Sequence, residues 1–395
     1  FICACSRQNS KRNISITVTF WGEQNRRFFM ERIKTAFERE NPEINVILNH
    51  IPGNMYDQKI KTWIASGNVP DVMHVNADTY SYLMTKDSLA AIDDIGNLDN
   101  SDFIPQFRDI FEKAGKTYGM TYFFNYFCLY YNKDLFDKKG IAYPGLNTGW
   151  DDIAKIAQAL TVRDEKGILV SSGLTGGIFD TLVYEYGGDF FDKNYTKSLF
   201  NTEPVKKALL WNKKLVENGS IPAAKDYESL SSLDYFQMNK AAMMLGGTWS
   251  ITDLSFKAKD FNWDIAAVPT ISGKRTVQLW VNGFVIPAKS LNKKAAFKFI
   301  AYLCSEKAQK TMVKLQIGIP SRLSLWDFYI TQNTVPENKS LVKDSLPFFR
   351  PRHMFAQFNE AQKIMNDYTK LYFEGRMTLD DTCKKVESEI NKILH

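Results

Sequence analysis

Three short apolar runs each end in a cluster that combines rings with hydrogen-bonding side chains. Phe20 leads into Trp21, Glu23 and Gln24; Val75 leads into Asn76, Asp78 and Tyr80; Leu245 leads through Gly246 and Gly247 into Trp249. Carboxylates and amides are planar partners for hydroxyl groups, and an indole or phenol face covers a C–H surface. Each cluster also opens a helical pattern, whose first amides lack internal partners and can bind hydroxyls. This mixture suits non-covalent capture of a hydroxyl-rich guest. Capping is the ordinary use of residues such as Gln24 and Asp78 at a helix start. It accounts equally well for either one alone, but three coincident clusters favour a shared groove.

Other positions are weaker candidates. Trp280-Val281-Asn282-Gly283 interrupts an apolar strand pair, and Asn282-Gly283 suggests a backbone that something approaches. Phe179, after Gly176-Gly177, reads as core. Arg322 follows Pro320 in a hinge-like segment, and Arg350 and Arg352 flank a proline. Solvated surface is the ordinary place for these three arginines. Facing a groove, they would favour an acidic guest such as a uronide.

Catalysis has little to work with. Glu23 and Asp78 could be set across a bond as an acid–base pair, but nothing separates them from hydrogen-bond acceptors. No GxSxG, HExxH, Walker A or strand-following GxGxxG occurs, and His50, His74, His353 and His395 are scattered. No CxxC pair or Cys/His cluster has zinc spacing, so neither a metal nor a cofactor is expected.

The elements that must position these residues follow a regular order. Ile14–Phe20 alternates as a strand and is followed by a helix to about Glu40, with Phe29, Ile33, Ala36 and Phe37 on one face. A strand at Ile44–Leu48, a helix over Tyr56–Ala65 and a strand at Val72–Val75 complete a β-α-β-α-β rhythm, which calls for a parallel sheet covered by helices. In such sheets ligands collect beyond the carboxyl ends of the strands, where the clusters lie.

Further on, Gly119–Phe136 reads GMTYFFNYFCLYYNKDLF, an aromatic strand with a polar break at Asn125-Tyr126 and a helix start at Asn132. A buried strand with a bulge would explain it. So would a crossover between lobes, with Asn125 and Tyr126 offering an amide and a ring to a groove. Helices are expected at Trp150–Leu160, Ile178–Tyr186 and from Pro204, with a loop at Gly173–Gly177 and a buried strand at Ala241–Leu245. Strands at Ile265–Val268 and Val277–Ile286 return the chain to the first lobe. Helices at Ala295–Leu303, Glu306–Leu315, Phe355–Phe373 and Thr378–Leu394 follow, the last capped by Thr378 with Asp381.

At 395 residues the chain is long enough for two domains, possibly three. The aromatic share of 14% suits sugar faces as well as cores. The net charge of +6 comes from Lys and Arg interleaved with acidic residues, so nucleic acid is not an expected partner. Cys128, Cys304 and Cys383 sit in apolar patterns as small core residues, and the odd count of five argues against a disulfide framework. Phe1-Ile2-Cys3-Ala4-Cys5-Ser6 resembles the end of a bacterial lipoprotein signal, with a small residue before the lipidated cysteine. Cys5 would carry the acyl chains, and 1–13 would be the tether. No run reaches eighteen apolar residues, so the expected membrane link is that lipid anchor alone.

YNKDLFDKKGI, followed by a Trp150-led helix and a Leu-Thr ending, resembles the extracellular solute-binding proteins of ABC importers, above all the sugar and oligosaccharide carriers similar to maltose-binding protein. NVPDVMHVNAD, FNTEPVKKAL and NKAAMMLGGTWS match in order and spacing. The resemblance covers nearly the whole chain. It implies an α/β, two-lobe periplasmic-binding-protein-like fold of type II, each lobe a mostly parallel sheet flanked by helices, joined by hinge crossovers. Residues 14–120 with 268–319 would form the N-terminal lobe, and 121–267 with 320–395 the C-terminal one. The resemblance also implies that Trp21 to Gln24, Asn76 to Tyr80, Asn125-Tyr126, Trp249 and Trp280 to Asn282 match regions that touch sugar; Arg322 and Arg352 are further candidates on their own chemistry, should they face the groove. Gly177 departs from relatives that place a larger contact there. The implied partners are a neutral or uronate oligosaccharide and the permease subunits of an importer, with the protein a monomer. A carbohydrate-sensing ectodomain and a glycoside-processing enzyme are the alternatives.

Overall fold

The computed structural model describes residues 14–22, 24–97, 99, 101–223 and 230–394; Cys5, Glu23 and the tether expected at 1–13 lie outside them. The chain folds into two compact units. One comprises the chain up to Phe124 together with Val281–Trp326; the other comprises Asn125–Trp280 with the chain from Asp327 onward. The chain therefore passes between units three times.

The first unit opens with the expected alternation: β1 (Ile14–Phe20), α1 (Gln24–Glu40), β2 (Ile44–His50), α2 (Gly53–Ser66), β3 (Val72–Asn76) and α3 (Ala77–Thr85). β1 pairs in parallel with β2 along its length and with β3 on its other side. α1 buries Phe29, Met30, Ile33 and Phe37, the stripe that its 3.6-residue period predicts. α2 stops at Gly67, whose left-handed φ of 73° lets its N–H close on the Trp63 carbonyl.

β4 (Gly119–Asn132) carries the chain from the first unit into the second, and every one of its 14 residues is buried. The polar break expected at Asn125-Tyr126 is absent, and the strand runs straight through. In the second unit follow α4 (Lys133–Lys139), α5 (Trp150–Leu160), β5 (Leu169–Gly176), α6 (Ile178–Glu185), α7 (Glu203–Glu217), β6 (Ala241–Gly247), α8 (Ser250–Lys257) and β7 (Trp263–Ala266). β5 lies parallel to β6, whereas the second half of β4 is antiparallel to both β6 and β7. The loop expected at Gly173–Gly177 is instead strand as far as Gly176. A Cβ at Gly173 would run into the backbone of Ala157 on α5, so this glycine serves close helix–strand approach rather than a turn.

The run expected to bring the chain back at Ile265 stays in the second unit, where Trp263–Ala266 pairs with Leu129–Asn132. The return falls within β8 (Val277–Val285), whose last residues lie antiparallel to β3. α9 (Lys293–Leu303) and α10 (Glu306–Lys314) finish the first unit. β9 (Phe349–Pro351) pairs with the start of β8, and α11 (Phe358–Phe373) and α12 (Leu379–Leu394) close the second. Thr378 accepts a hydrogen bond from the Asp381 N–H, and α12 buries Cys383, Val386 and Ile390. Cys128, Cys304 and Cys383 are all free and buried. In the first unit β1, β2 and β3 are thus parallel with β8 antiparallel to β3, and in the second β5 and β6 are parallel with β4 antiparallel to β6 and β7.

One buried carboxyl on α6 ties α5 to the residue that leads into β8. Glu185, almost fully enclosed, accepts hydrogen bonds from Trp150 Nε1 (2.8 Å) and the Thr276 N–H (3.1 Å). Burial nevertheless pushes its carboxyl up to about 8, against the pull of those donors. A carboxyl whose pKa is raised by folding holds its proton more tightly in the native state than in the unfolded one. Stability should therefore fall as pH rises from about 4.5 towards 8, then level off. Glu185→Gln should flatten that slope, which urea midpoints measured across this range will show.

Candidate functional site

In the first unit the carboxyl ends of β1 and β3 carry the expected clusters. Trp21 follows β1, half-buried, with its indole stacked on the His74 ring at 3.9 Å and against Tyr56 at 4.7 Å. His74 is fully buried on β3, and burial together with the Arg26 charge holds its pKa well below the usual imidazole range. It is therefore a neutral, flat support for the indole. Tyr56 secures the same corner by donating to the His74 carbonyl oxygen (2.8 Å).

Asn76 is the N-cap of α3 and accepts from the Thr79 N–H at 2.9 Å, so one side of its amide is committed to capping. Asp78 lies in the first turn of the same helix. Asn282 sits directly opposite Asn76 in the β3–β8 ladder, and both are partly exposed. Gln24, the first residue of α1, is exposed. Tyr80 differs from its neighbours: it is buried edge-on against Phe111 at 4.8 Å, so its ring belongs to the core.

The second unit presents an aromatic surface where β6 ends. Trp249 is 44% exposed and stands perpendicular to Trp280, with centroids 5.1 Å apart. Phe127 stacks on Trp280 at 4.5 Å and lies 5.8 Å from Trp249. Gly177 is the N-cap of α6, and its N–H donates to the Leu245 carbonyl oxygen (3.2 Å).

Beneath this surface, Asn125 (4% exposed) and Tyr126 (1%) point into the protein. The Thr248 hydroxyl donates to Asn125 Oδ1 (3.0 Å) and accepts from the Tyr126 N–H (3.2 Å), while the Thr248 N–H donates to the Tyr126 carbonyl oxygen (2.9 Å). The Tyr126 ring packs on Phe349, and burial pushes its hydroxyl well above the usual phenol range. These residues anchor the turn that carries Trp249. Phe127 and Thr248 went unremarked in the sequence. Phe127 was findable, because in a continuous strand it shares the face of Asn125, two positions earlier.

The arginines are already engaged within their own units. Arg322 pairs with Asp102 (3.2 Å), donates to the Cys304 carbonyl oxygen (2.8 Å) and covers Phe103. Arg350 pairs with Asp189 and lies over Tyr184. Arg352 donates to Gln362 (2.7 Å) and lies over Phe358. Among the described residues no group of three His, Cys, Asp or Glu side chains is arranged to hold a metal, and no helix is long and apolar enough to cross a membrane.

Two α/β units with exchanged chain segments, each with rings and amides at its strand ends, make an architecture suited to holding a solute. The chain belongs to the bacterial extracellular solute-binding protein family, whose profile matches residues 22–310. It is 24% identical to the arabinooligosaccharide-binding protein of Bacillus subtilis over 92% of this chain and 89% of that one. It is likewise 24% identical to the maltodextrin-binding protein of the same bacterium, over 86% and 78%. The structure of an ABC substrate-binding protein from Listeria monocytogenes in complex with cycloalternan superposes with a TM-score of 0.88 at 26% identity, covering 97% of this chain and 99% of that one. The fold is that of the type II periplasmic-binding proteins.

Thr248→Val removes the hydroxyl that bridges Asn125 Oδ1 and the Tyr126 N–H in a buried site. A loss of about 1–3 kcal/mol is expected, read as a lower urea midpoint with an unchanged slope.

Proposed function

We propose that this protein captures an oligosaccharide by hinge closure, using the ring-and-amide surfaces at its strand ends, and delivers it to the permease of an ABC importer. The observation that carries this reading is the exposed Trp249 face, braced by Trp280 and Phe127, in a family of solute binders. Relatives named for arabinooligosaccharide and maltodextrin, and a neighbour in complex with cycloalternan, support a guest of several sugar units. An indole covers the C–H face of one sugar ring, while Asn76, Asn282 and Gln24 supply amides for its hydroxyls. Three chain crossings are the kind of connection about which such units close, and ligand contacts on both surfaces would bias the closed form.

In this reading the guest leaves unaltered. With all three arginines held by internal partners, a neutral guest fits better than a uronate. Action as a monomer, with Cys5 as a lipid anchor, belongs to the same reading; mass spectrometry of the mature protein beside Cys5→Ala tests the anchor.

Calorimetry and a melting screen against neutral and uronate oligosaccharides test the function as a whole. Trp249→Ala should cost about 2 kcal/mol of affinity for the sugar that binds, the scale of a lost stacking platform. Unchanged affinity would remove Trp249 from the site. Chromatography of the incubated sugar should return it intact, and shortened products would overturn the carrier reading.

A further inference from the structure

Three glycines border the aromatic surface of the second unit, and two are required by their immediate surroundings. Gly176 has φ +110°, and a Cβ there would strike the Leu245 carbonyl oxygen. At Gly247 a Cβ would fall on the Trp249 indole, so this glycine lets the indole lie back over the strand end. Gly177 is different. Its φ of −80° and ψ of 65° make no demand for glycine. The ring edge of Phe127, 3.2 and 3.3 Å away, is all that its Cβ would meet within 4 Å. Gly177 itself is exposed.

Phe127 has little freedom to withdraw, because it is stacked on Trp280 at 4.5 Å and is itself nearly buried. A side chain at position 177 would therefore occupy the space beside Phe127, next to the cluster whose outer member is the exposed Trp249. The backbone does not call for glycine at this position, and the room it leaves lies at the edge of the aromatic platform.

We propose that Gly177 determines the size of the guest: the space left by its missing side chain admits a further sugar unit beside Phe127, so that chains longer than a disaccharide are preferred. This rests on the carbohydrate-capture reading above. A pocket that is merely filled discriminates by tens of fold rather than thousands, because the selection is steric and apolar.

Calorimetry of the full chain with malto-oligosaccharides and α-1,5-arabino-oligosaccharides of two to six units tests the proposal. For the series that binds, Gly177→Leu should weaken the longer members by about tenfold and leave the disaccharide within about twofold. Gly177→Ala, which adds only the Cβ against Phe127, should shift the same ratio in the same direction by less. It decides the matter should the leucine variant fail to fold. Equal weakening at every length would make Gly177 a packing residue only and overturn the inference. So would an unchanged preference in both variants. If the wild-type protein binds neither series, nor any other sugar in the wider screen, the carbohydrate reading falls and this inference with it. The first two results overturn the inference alone.

Discussion

The burial of β4 along its whole length is the constraint on which the rest of the molecule depends. A strand covered on both faces must be apolar throughout, or must partner each polar group it carries. Met120 to Tyr131 meets the first demand almost everywhere with large rings and aliphatic chains. Thr121 and Asn125 are the exceptions; the Thr121 hydroxyl is buried without a partner, whereas Asn125 is answered by Thr248. That single contact couples the passage between units to the turn after β6, and so fixes where Trp249 stands.

Electrostatics tell a similar story of internal use. The arginines that might have drawn an acidic guest instead hold Asp102, Asp189 and Gln362, with aromatic faces beneath them. A guanidinium already paired and stacked loses those contacts if it turns to a ligand. His74, kept neutral by burial and by Arg26, contributes a flat ring rather than a charge. Among the described side chains of these clusters, the partly or fully exposed ones are uncharged: Trp21, Gln24, Asn76, Trp249 and Asn282. Such surfaces suit hydroxyl-rich molecules, whose recognition depends on hydrogen-bond geometry and apolar C–H faces.

The two surfaces are built by different means. In the first unit a tryptophan lies on a buried histidine–tyrosine corner, and an asparagine cap stands opposite a second asparagine across the ladder. In the second unit three aromatic rings support one another, and glycines at 176 and 247 permit the close packing that holds them. Rigidity of this kind reduces the ordering that a guest must impose on binding.

Much of this was legible in the residue order. The alternation of Ile14–Phe20, the stripe of α1, the Gly67 stop and the Thr378 cap depend on local periodicity and turn chemistry, which a sequence displays directly. The clusters at Trp21, Asn76 and Trp249 were visible for the same reason, since each directly follows a strand. Only the tertiary structure decided which members face outward. Tyr80 and Asn125 have the same composition of ring or amide as their exposed neighbours, yet are buried because Phe111 and Thr248 come from distant parts of the chain. Gly173 looked like a turn and proved to be the contact point of a helix on a strand. The sequence by itself determined which residues could meet a sugar. Long-range packing determined which of them are free to do so, because burial is set by partners far along the chain that no local pattern reveals.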